Sequence, residues 1–342
     1  MKDRVDTAPT TQDVAREAGV SLATVDRVLN ARAGVRPATV ARVQAAIERI
    51  GYVRDTAAAN LAKRRVYDLA FVLPETDNEF VLSLKAEIAA QSSRPAIHRT
   101  RLSVVPVTPF DPQAVVTALD ALDRPDGVAV FGPETPSVRD AVRRARARGI
   151  AVVALVSDLP SSERDHFVGI DNLRAGRTAA ELMGRFTRRE GRVLVLTGSR
   201  LARDHLERRQ GFDQVIARDF PHLSVAATLE GRDDPGRVAA LLEGTLTPDV
   251  VGIYSSAAGN AGLVRALAGR TSDVTVIAHE LTGTTRAALM DGTFDALIAQ
   301  DAGHLVRSAI RLLRATADGA PFDPAQERIR IDIHLRENVP SP

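Results

Sequence analysis

Two groups of side chains in this sequence could do chemistry, and in both it is recognition chemistry. The first lies near the start of the chain. Leu22, Ala23, Asp26, Arg27 and Asn30 fall on the outward side of a stretch with helical periodicity, Ser21 to Asn30. The Arg27 guanidinium offers two parallel donors that match a guanine edge, and the Asn30 amide can bond a phosphate or brace a turn. The second group follows apolar runs: Asp77, Asn78 and Phe80; Glu134; Ser157 and Asp158; Ser255 and Ser256; His279 and Glu280; Gln300 and Asp301. Carboxylates and amides exchange hydrogen bonds with pairs of hydroxyls, and a phenyl ring such as Phe80 can pack on a sugar face. That set suits a polyol. Each member also has a plain structural alternative: Asp158 could cap a loop, and Gln300 could bridge two parts of the body.

No comparable pattern points to catalysis or to a metal. The chain has no Cys, which excludes disulfides, Cys-ligated zinc, iron–sulfur clusters and thiol catalysis. Its seven His are scattered, with no pair at helical spacing. There is no G-x-G-x-x-G after a strand, no G-x-x-x-x-G-K-[ST], no H-E-x-x-H and no G-x-S-x-G. We expect no cofactor, no metal and no enzymatic activity.

The elements that must hold the first group are three short helices over residues 10–50. Thr10 or Thr11 can cap the first, whose inner face carries Val14, Ala15 and Ala18. Gly19 stops it, because Gly enters a left-handed turn without steric cost. Ser21 caps the second, with Val25, Val28 and Leu29 inward. Pro37 opens the third, where Val40, Val43, Ile47 and Ile50 recur at helical spacing. Two helices across a tight glycine turn, braced by a third, predict a helix-turn-helix that enters the DNA major groove. The competing reading is a three-helix bundle with a solvated charged face.

After Arg65 the pattern changes. Strand-like runs recur at Asp68–Leu73, Ser103–Val107, Gly127–Phe131, Ala151–Val156, Val193–Leu196, Val250–Tyr254, Val274–Ala278 and Ala296–Ala299. Amphipathic stretches such as Val138–Arg148, Ala175–Phe186 and Gly259–Ala268 lie between them. Alternation of this kind predicts parallel α/β sheets, and the strand count asks for two open subdomains. In such sheets ligands bind at the carboxyl ends of strands, where the second group of side chains falls.

Composition agrees with this division. At 342 residues the chain has room for two or three domains, and 44% apolar with 26% charged residues is ordinary for a globular protein. Residues 1–65 carry 12 Lys and Arg against 7 Asp and Glu, while the remainder carries 33 against 36. A basic head on a mildly acidic body is the charge footprint of a nucleic-acid-binding head. The first residues hold no apolar h-region, and the longest apolar run, Ile150 to Val156, suits a buried strand. We expect a cytoplasmic protein without membrane contact.

Residues Thr11 to Asn30, TQDVAREAGVSLATVDRVLN, resemble the DNA-binding signature of the lactose-repressor (LacI/GalR) family. So do Ile50-Gly51-Tyr52-Val53-Arg54-Asp55 and the following Ala57 to Arg64. The resemblance implies base-reading roles for Leu22, Ala23 and Arg27. It implies phosphate-positioning roles for Thr11, Ser21, Thr24, Asn30, Arg36 and Thr39. Asp26 departs from the usual Ser, and a carboxylate near phosphates weakens binding unless a cation pairs with it. Residues 55–65 are implied to be a hinge helix that folds when two copies meet in the minor groove. There Leu61 wedges between base pairs, and small Ala58 and Ala62 allow close approach.

The body resembles the effector domain of the same family, a fold shared with periplasmic sugar-binding proteins. The resemblance rests on Phe71-Val72-Leu73-Pro74, Val168 to Asn172, Glu207 to Phe212 and Ile298 to Asp301. Arg208, three residues before Gly211, matches the family's sugar-hydroxyl arginine, its plain alternative being a pair with Glu207 or Asp204 on a helix; His279-Glu280 stands where an Asp is common. The implied organisation is a helix-turn-helix domain over 1–54, a hinge over 55–65 and an effector-binding and dimerisation domain over 66–335. Within the last, an N-subdomain takes about 66–168 plus 299–330, a C-subdomain takes about 169–298, and three crossovers join them. The implied effector site is Asn78, Phe80, Glu134, Ser157, Asp158, Arg208, Ser255, His279, Glu280 and Gln300. The expected function is a ligand-controlled transcriptional regulator, a repressor, binding operator DNA as a homodimer or tetramer with a small sugar or polyol as effector. The alternatives are a sugar-binding transport protein and a sugar-modifying enzyme.

Overall fold

Thr10 starts the first helix by a reciprocal cap: its hydroxyl accepts from the Asp13 N–H, and the Asp13 carboxylate accepts from the Thr10 N–H. The computed structural model describes residues 9–29, 32–52, 65–93, 99–269 and 274–340, in two units divided after Arg65. In the first unit, α1 is Thr11–Ala18, α2 is Leu22–Leu29 and α3 is Pro37–Ile50. Gly19 is left-handed at φ 60°, which turns the chain from α1 toward α2. Ser21 accepts from the Thr24 N–H at the start of α2. Val14, Val25 and Val43, one from each helix, are fully buried against one another. This is the expected helix-turn-helix. Asn30 and the proposed hinge positions Ala58, Leu61 and Ala62 lie outside the described residues.

The second unit alternates strands and helices. Its first lobe runs through β1 (Tyr67–Pro74), α4 (Glu79–Ser92), β2 (Thr100–Val107) and α5 (Pro112–Ala121). It continues through β3 (Gly127–Val130), α6 (Pro136–Ala147), β4 (Ala151–Leu155) and β5 (His166–Val168). The second lobe begins with α7 (Asn172–Phe186), β6 (Gly191–Thr197), α8 (Arg203–Asp219), β7 (Leu223–Glu230) and α9 (Pro235–Glu243). It goes on through β8 (Val250–Ser255), α10 (Asn260–Leu267), β9 (Thr275–His279), α11 (Gly283–Met290) and β10 (Ala296–Ala299). Two elements close the chain, α12 (Ala302–Asp318) and β11 (Asp332–His334).

The first sheet has order β2-β1-β3-β4-β5 and is parallel throughout. The second has order β11-β10-β9-β8-β6-β7, parallel except for β11 at one edge. Strands β3, β4, β8 and β10 are buried along their whole length, which explains why they read as unbroken apolar runs.

The chain crosses between lobes three times. It leaves the first lobe after β5. It returns after β10, when α12 packs on β3, β4 and β5. It leaves again when β11 pairs with β10, Ile298 opposite Ile333. The last strand thus belongs to the second lobe. One apolar cluster runs through the crossover, from Phe71 and Leu73 through Val156 and Ile170 to Phe212 and Tyr254.

Candidate functional site

A cavity of about 400 Å³ lies between the carboxyl ends of the two sheets. The first lobe contributes Asn78, Phe80, Phe110, Phe131 and Ser157. The second contributes Asp204, His205, Arg208, Asp233, His279 and Glu280. The cavity is of the size that holds a small organic ligand. Its first-lobe side carries three phenyl rings, and its second-lobe side carries most of the charge.

Arg208 is only 3% exposed, and the protein fixes it from two sides. Its Nε donates to Asn172 Oδ1 at 2.8 Å, and one terminal nitrogen donates to the Ser256 carbonyl at 2.9 Å. The other, Nη2, has no hydrogen-bond partner and lies 3.6 Å from a Glu280 oxygen. The placement depends on a close crossing of α7 and α8. A Cβ on Gly211 would stand 2.0 Å from the Leu173 carbonyl oxygen, and one on Gly176 would stand 1.9 Å from that of Arg208. Both positions therefore demand glycine, and their contact brings Asn172 within reach of Arg208.

Around Arg208 stand three more buried groups. Glu280 accepts from the Gln300 side-chain amide at 2.9 Å, and burial pushes its carboxyl above the usual range, against the pull of Arg208. His279 is fully buried, its Nε2 2.9 Å from the Tyr254 hydroxyl and its Nδ1 without a partner. Burial, and then the Arg208 charge, hold its imidazole well below the usual histidine range, so it is neutral. Asp204, on α8 one turn before Arg208, is 2% exposed and has one oxygen, Oδ1, unpartnered.

Backbone strain concentrates here. Among the described residues six non-glycine positions have positive φ, and five of them line the cavity: Phe110, Val156, Arg232, Asp233 and Glu280. A β-branched residue such as Val156 at φ 66° is held there only by its surroundings.

Of the ten effector residues expected from the sequence, Asn78, Phe80, Ser157, Arg208, His279 and Glu280 line the cavity. Gln300 stands behind it, holding Glu280. The other three face elsewhere. Asp158 is paired with the Arg164 guanidinium in its own loop. Glu134 accepts from Arg139 and from Arg203, joining the lobes outside the cavity. The Ser255 hydroxyl is buried and donates to Asn260 Oδ1 at 2.7 Å. Sequence reasoning missed Asp204, His205, Asp233 and Phe110 as lining residues. The spacing of Asp204 and Arg208, i and i+4 on one helix, carried a signal for the first of these.

Asn78, Glu79 and Glu134 bond across the cleft. The Asn78 amide donates to Asp233 at 2.9 Å, the Thr284 hydroxyl donates to Glu79 at 2.9 Å, and Arg203 donates to Glu134 at 2.9 Å.

In the first unit, Leu22, Ala23 and Arg27 are exposed on α2, Leu22 at 48%. Thr11, Ser21, Thr24, Arg36 and Thr39 are all at least partly exposed. Asp26 has a cation partner, Arg32, at 3.4 Å. Among the described residues no group of three or more potential ligands could hold a metal, and no helix is long and apolar enough to cross a membrane.

Comparison with known proteins agrees with both units. The family model for bacterial regulatory proteins of the lacI family matches residues 10–55, and that for a periplasmic binding protein domain matches residues 69–321. Catabolite control protein A of Priestia megaterium is 41% identical over 75 residues, 22% of this chain and 23% of the relative. The HTH-type transcriptional regulator GntR of Pseudomonas aeruginosa is 32% identical over 213 residues, 61% of this chain and 59% of the relative. The chain thus aligns with less than two thirds of either relative. Among solved structures, an ABC-transporter solute-binding protein of Burkholderia graminis in complex with D-arabinose shares the fold of the body. Its TM-score is 0.74 at 23% identity, over 80% of this chain and 97% of that one. With a lacI-type helix-turn-helix at its head and a periplasmic binding protein domain over most of its length, this chain belongs to the lacI family of bacterial regulatory proteins.

Proposed function

We propose that the protein is a sequence-specific DNA-binding transcriptional regulator, a repressor, controlled by a small sugar or polyol held between the lobes of its body. The observation that carries this reading is the union, in one chain, of an exposed α2 face with a buried, half-satisfied polar cavity. Leu22, Ala23 and Arg27 read base edges, and Thr11, Ser21, Thr24, Asn30, Arg36 and Thr39 position phosphates. Ala58, Leu61 and Ala62 serve the minor groove, with Leu61 as the wedge. A homodimer or a dimer of dimers matches a two-fold operator. Such a protein works in the cytoplasm, with the DNA, and needs no catalytic group.

In the body, Arg208 supplies donors to ligand oxygens, Asn78, Ser157, His279 and Glu280 add polar contacts, and Phe80 packs on the apolar face of a ring. The D-arabinose bound by a protein of the same fold supports a ligand of monosaccharide size. The test is a gel shift with DNA from upstream of the protein's own gene, against random DNA at matched salt, titrated with sugars and polyols that raise the melting temperature. We expect preferential retardation of the upstream fragment and its release by one such compound. Equal retardation of both DNAs, with no effect of any compound, would sink the reading.

A further inference from the structure

Three residues that line the cavity each hold a buried polar atom with no hydrogen-bond partner in the protein: Arg208 Nη2, Asp204 Oδ1 and His279 Nδ1. A buried polar atom left unsatisfied is costly, so three on residues that line one cavity mark where a ligand can supply partners. Asp204 is the informative one. Its main-chain N–H donates to Ser157 Oγ at 3.3 Å, and its other oxygen lies 3.6 Å from His205 Nε2. Neither carboxylate oxygen takes a hydrogen bond from the protein, so the carboxylate's accepting capacity is left for a ligand.

The chemistry of the pair is complementary and restrictive. An ionised carboxylate only accepts hydrogen bonds, and a guanidinium only donates them. A ligand that satisfies both must bring a donor to Asp204 and an acceptor to Arg208. Adjacent hydroxyls of a sugar do this, because each hydroxyl is donor and acceptor. A phosphate or carboxylate at neutral pH brings acceptors only. It would also meet Asp77, Asp204, Asp233 and Glu280 around the same space, while Arg208 already faces Glu280 at 3.6 Å. The other arginine on the lining, Arg232, is exposed.

We propose that Asp204 is a specificity-determining residue of the cleft. It accepts from a ligand hydroxyl and, together with Arg208, selects an uncharged sugar or polyol over its phosphorylated or carboxylated relatives. This rests on the reading of the body as an effector-binding module, and deepens it by naming the charge of the effector.

The test is calorimetry on the full-length protein. The neutral probes are D-arabinose, D-ribose, D-glucose and myo-inositol; the anionic probes are D-ribose 5-phosphate, D-glucose 6-phosphate and D-gluconate; D-glucosamine is the cationic one. We expect at least one neutral probe to bind, and its anionic relative to bind about tenfold or more weakly. Asp204→Asn should weaken the neutral probe about tenfold or more and narrow its lead over the anionic relative. If that variant fails to fold by circular dichroism, Asp204→Ser is read in its place, and the discrimination by the wild type stands independently of either. An anionic or cationic probe binding as tightly as its neutral relative overturns the proposal, as do unchanged affinity and discrimination in a folded Asp204 variant. Binding of none of the probes overturns the effector reading itself, which makes the two failures distinguishable.

Discussion

His279 and Glu280 adjoin at the end of β9, and burial acts on them with opposite signs. The folded His279 imidazole sits well below the ordinary value of 6.5, so the unfolded chain takes up its proton first as pH falls. Its contribution is complete above about pH 6.5 and is lost below it, at about 1.4 kcal/mol per pH unit for one proton. Glu280 is raised above 4.5, so the folded state holds its proton more tightly. Its stabilisation is present at acid pH and is lost as pH rises through the folded value. Thermal melts of the ligand-free protein should therefore separate the two. His279→Gln should flatten the loss of stability between pH 6.5 and 5, while Glu280→Gln should raise the melting temperature at pH 7.5 and lose that advantage toward pH 4.5. Slopes identical to wild type in both variants would remove these groups as the cause. On the face proposed to read DNA, Arg27 is exposed on α2. Arg27→Ala should cost about 1–3 kcal/mol on the operator and relax preference at one base pair. A binding-site selection read for both proteins checks it, and uniform weakening on all sequences would make Arg27 a phosphate contact instead.

The α7–α8 crossing shows how two glycines set the site without touching a ligand. Gly211 has no space for a Cβ, because the Leu173 carbonyl oxygen would stand 2.0 Å from it. Main chain cannot swing aside as a side-chain tip can, so Gly211→Ala must part the helices. We expect a loss of about 1–3 kcal/mol, with weaker sugar binding as Arg208 shifts from Asn172. A melting temperature and sugar affinity equal to wild type would refute this. The same element shows what the sequence made legible. Gly211 and Arg208 stand in a contiguous motif, and Arg208 is where that motif implied, lining the cavity. The strands buried on both faces were equally plain, since β4 and β8 are continuous apolar runs. Strand β7 was not: it is only partly buried along most of its length and lacks such a run, and Asp233 just beyond it went unnoticed. Strands β5 and β11 have three residues each, too few to show a period. Asp158 follows β4, and that position alone makes it a cleft candidate in the sequence. The loop brings Arg164 back to it, a pairing that depends on the path of the turn and leaves no trace in spacing.

At the scale of the whole molecule, the question is what a ligand changes. The lobes are already joined by Asn78 to Asp233, Glu79 to Thr284 and Glu134 to Arg203. A ligand that touches both lobes adds to those bonds, and it shifts the protein toward closure only by its differential affinity for the closed form. If closure alters DNA binding, linkage fixes a second effect: operator must change ligand affinity by the factor by which ligand changes operator affinity. For a repressor released by its effector, both factors are losses. Glu134 offers a control, because it bridges the lobes without lining the cavity. Glu134→Ala removes the cross-lobe acceptor for Arg203, which keeps Glu207 on its own helix, and should lower sugar affinity about two- to tenfold by depopulating the closed form. Contacts between ligand and cavity wall would be untouched. The measurement is calorimetry of the tightest neutral sugar with and without a saturating operator duplex, on wild type and Glu134→Ala. Equal sugar affinity with and without operator would show that the cleft and the DNA-binding head are uncoupled. Undiminished sugar affinity in Glu134→Ala would show that the Glu134–Arg203 bridge does not favour the ligand-binding form.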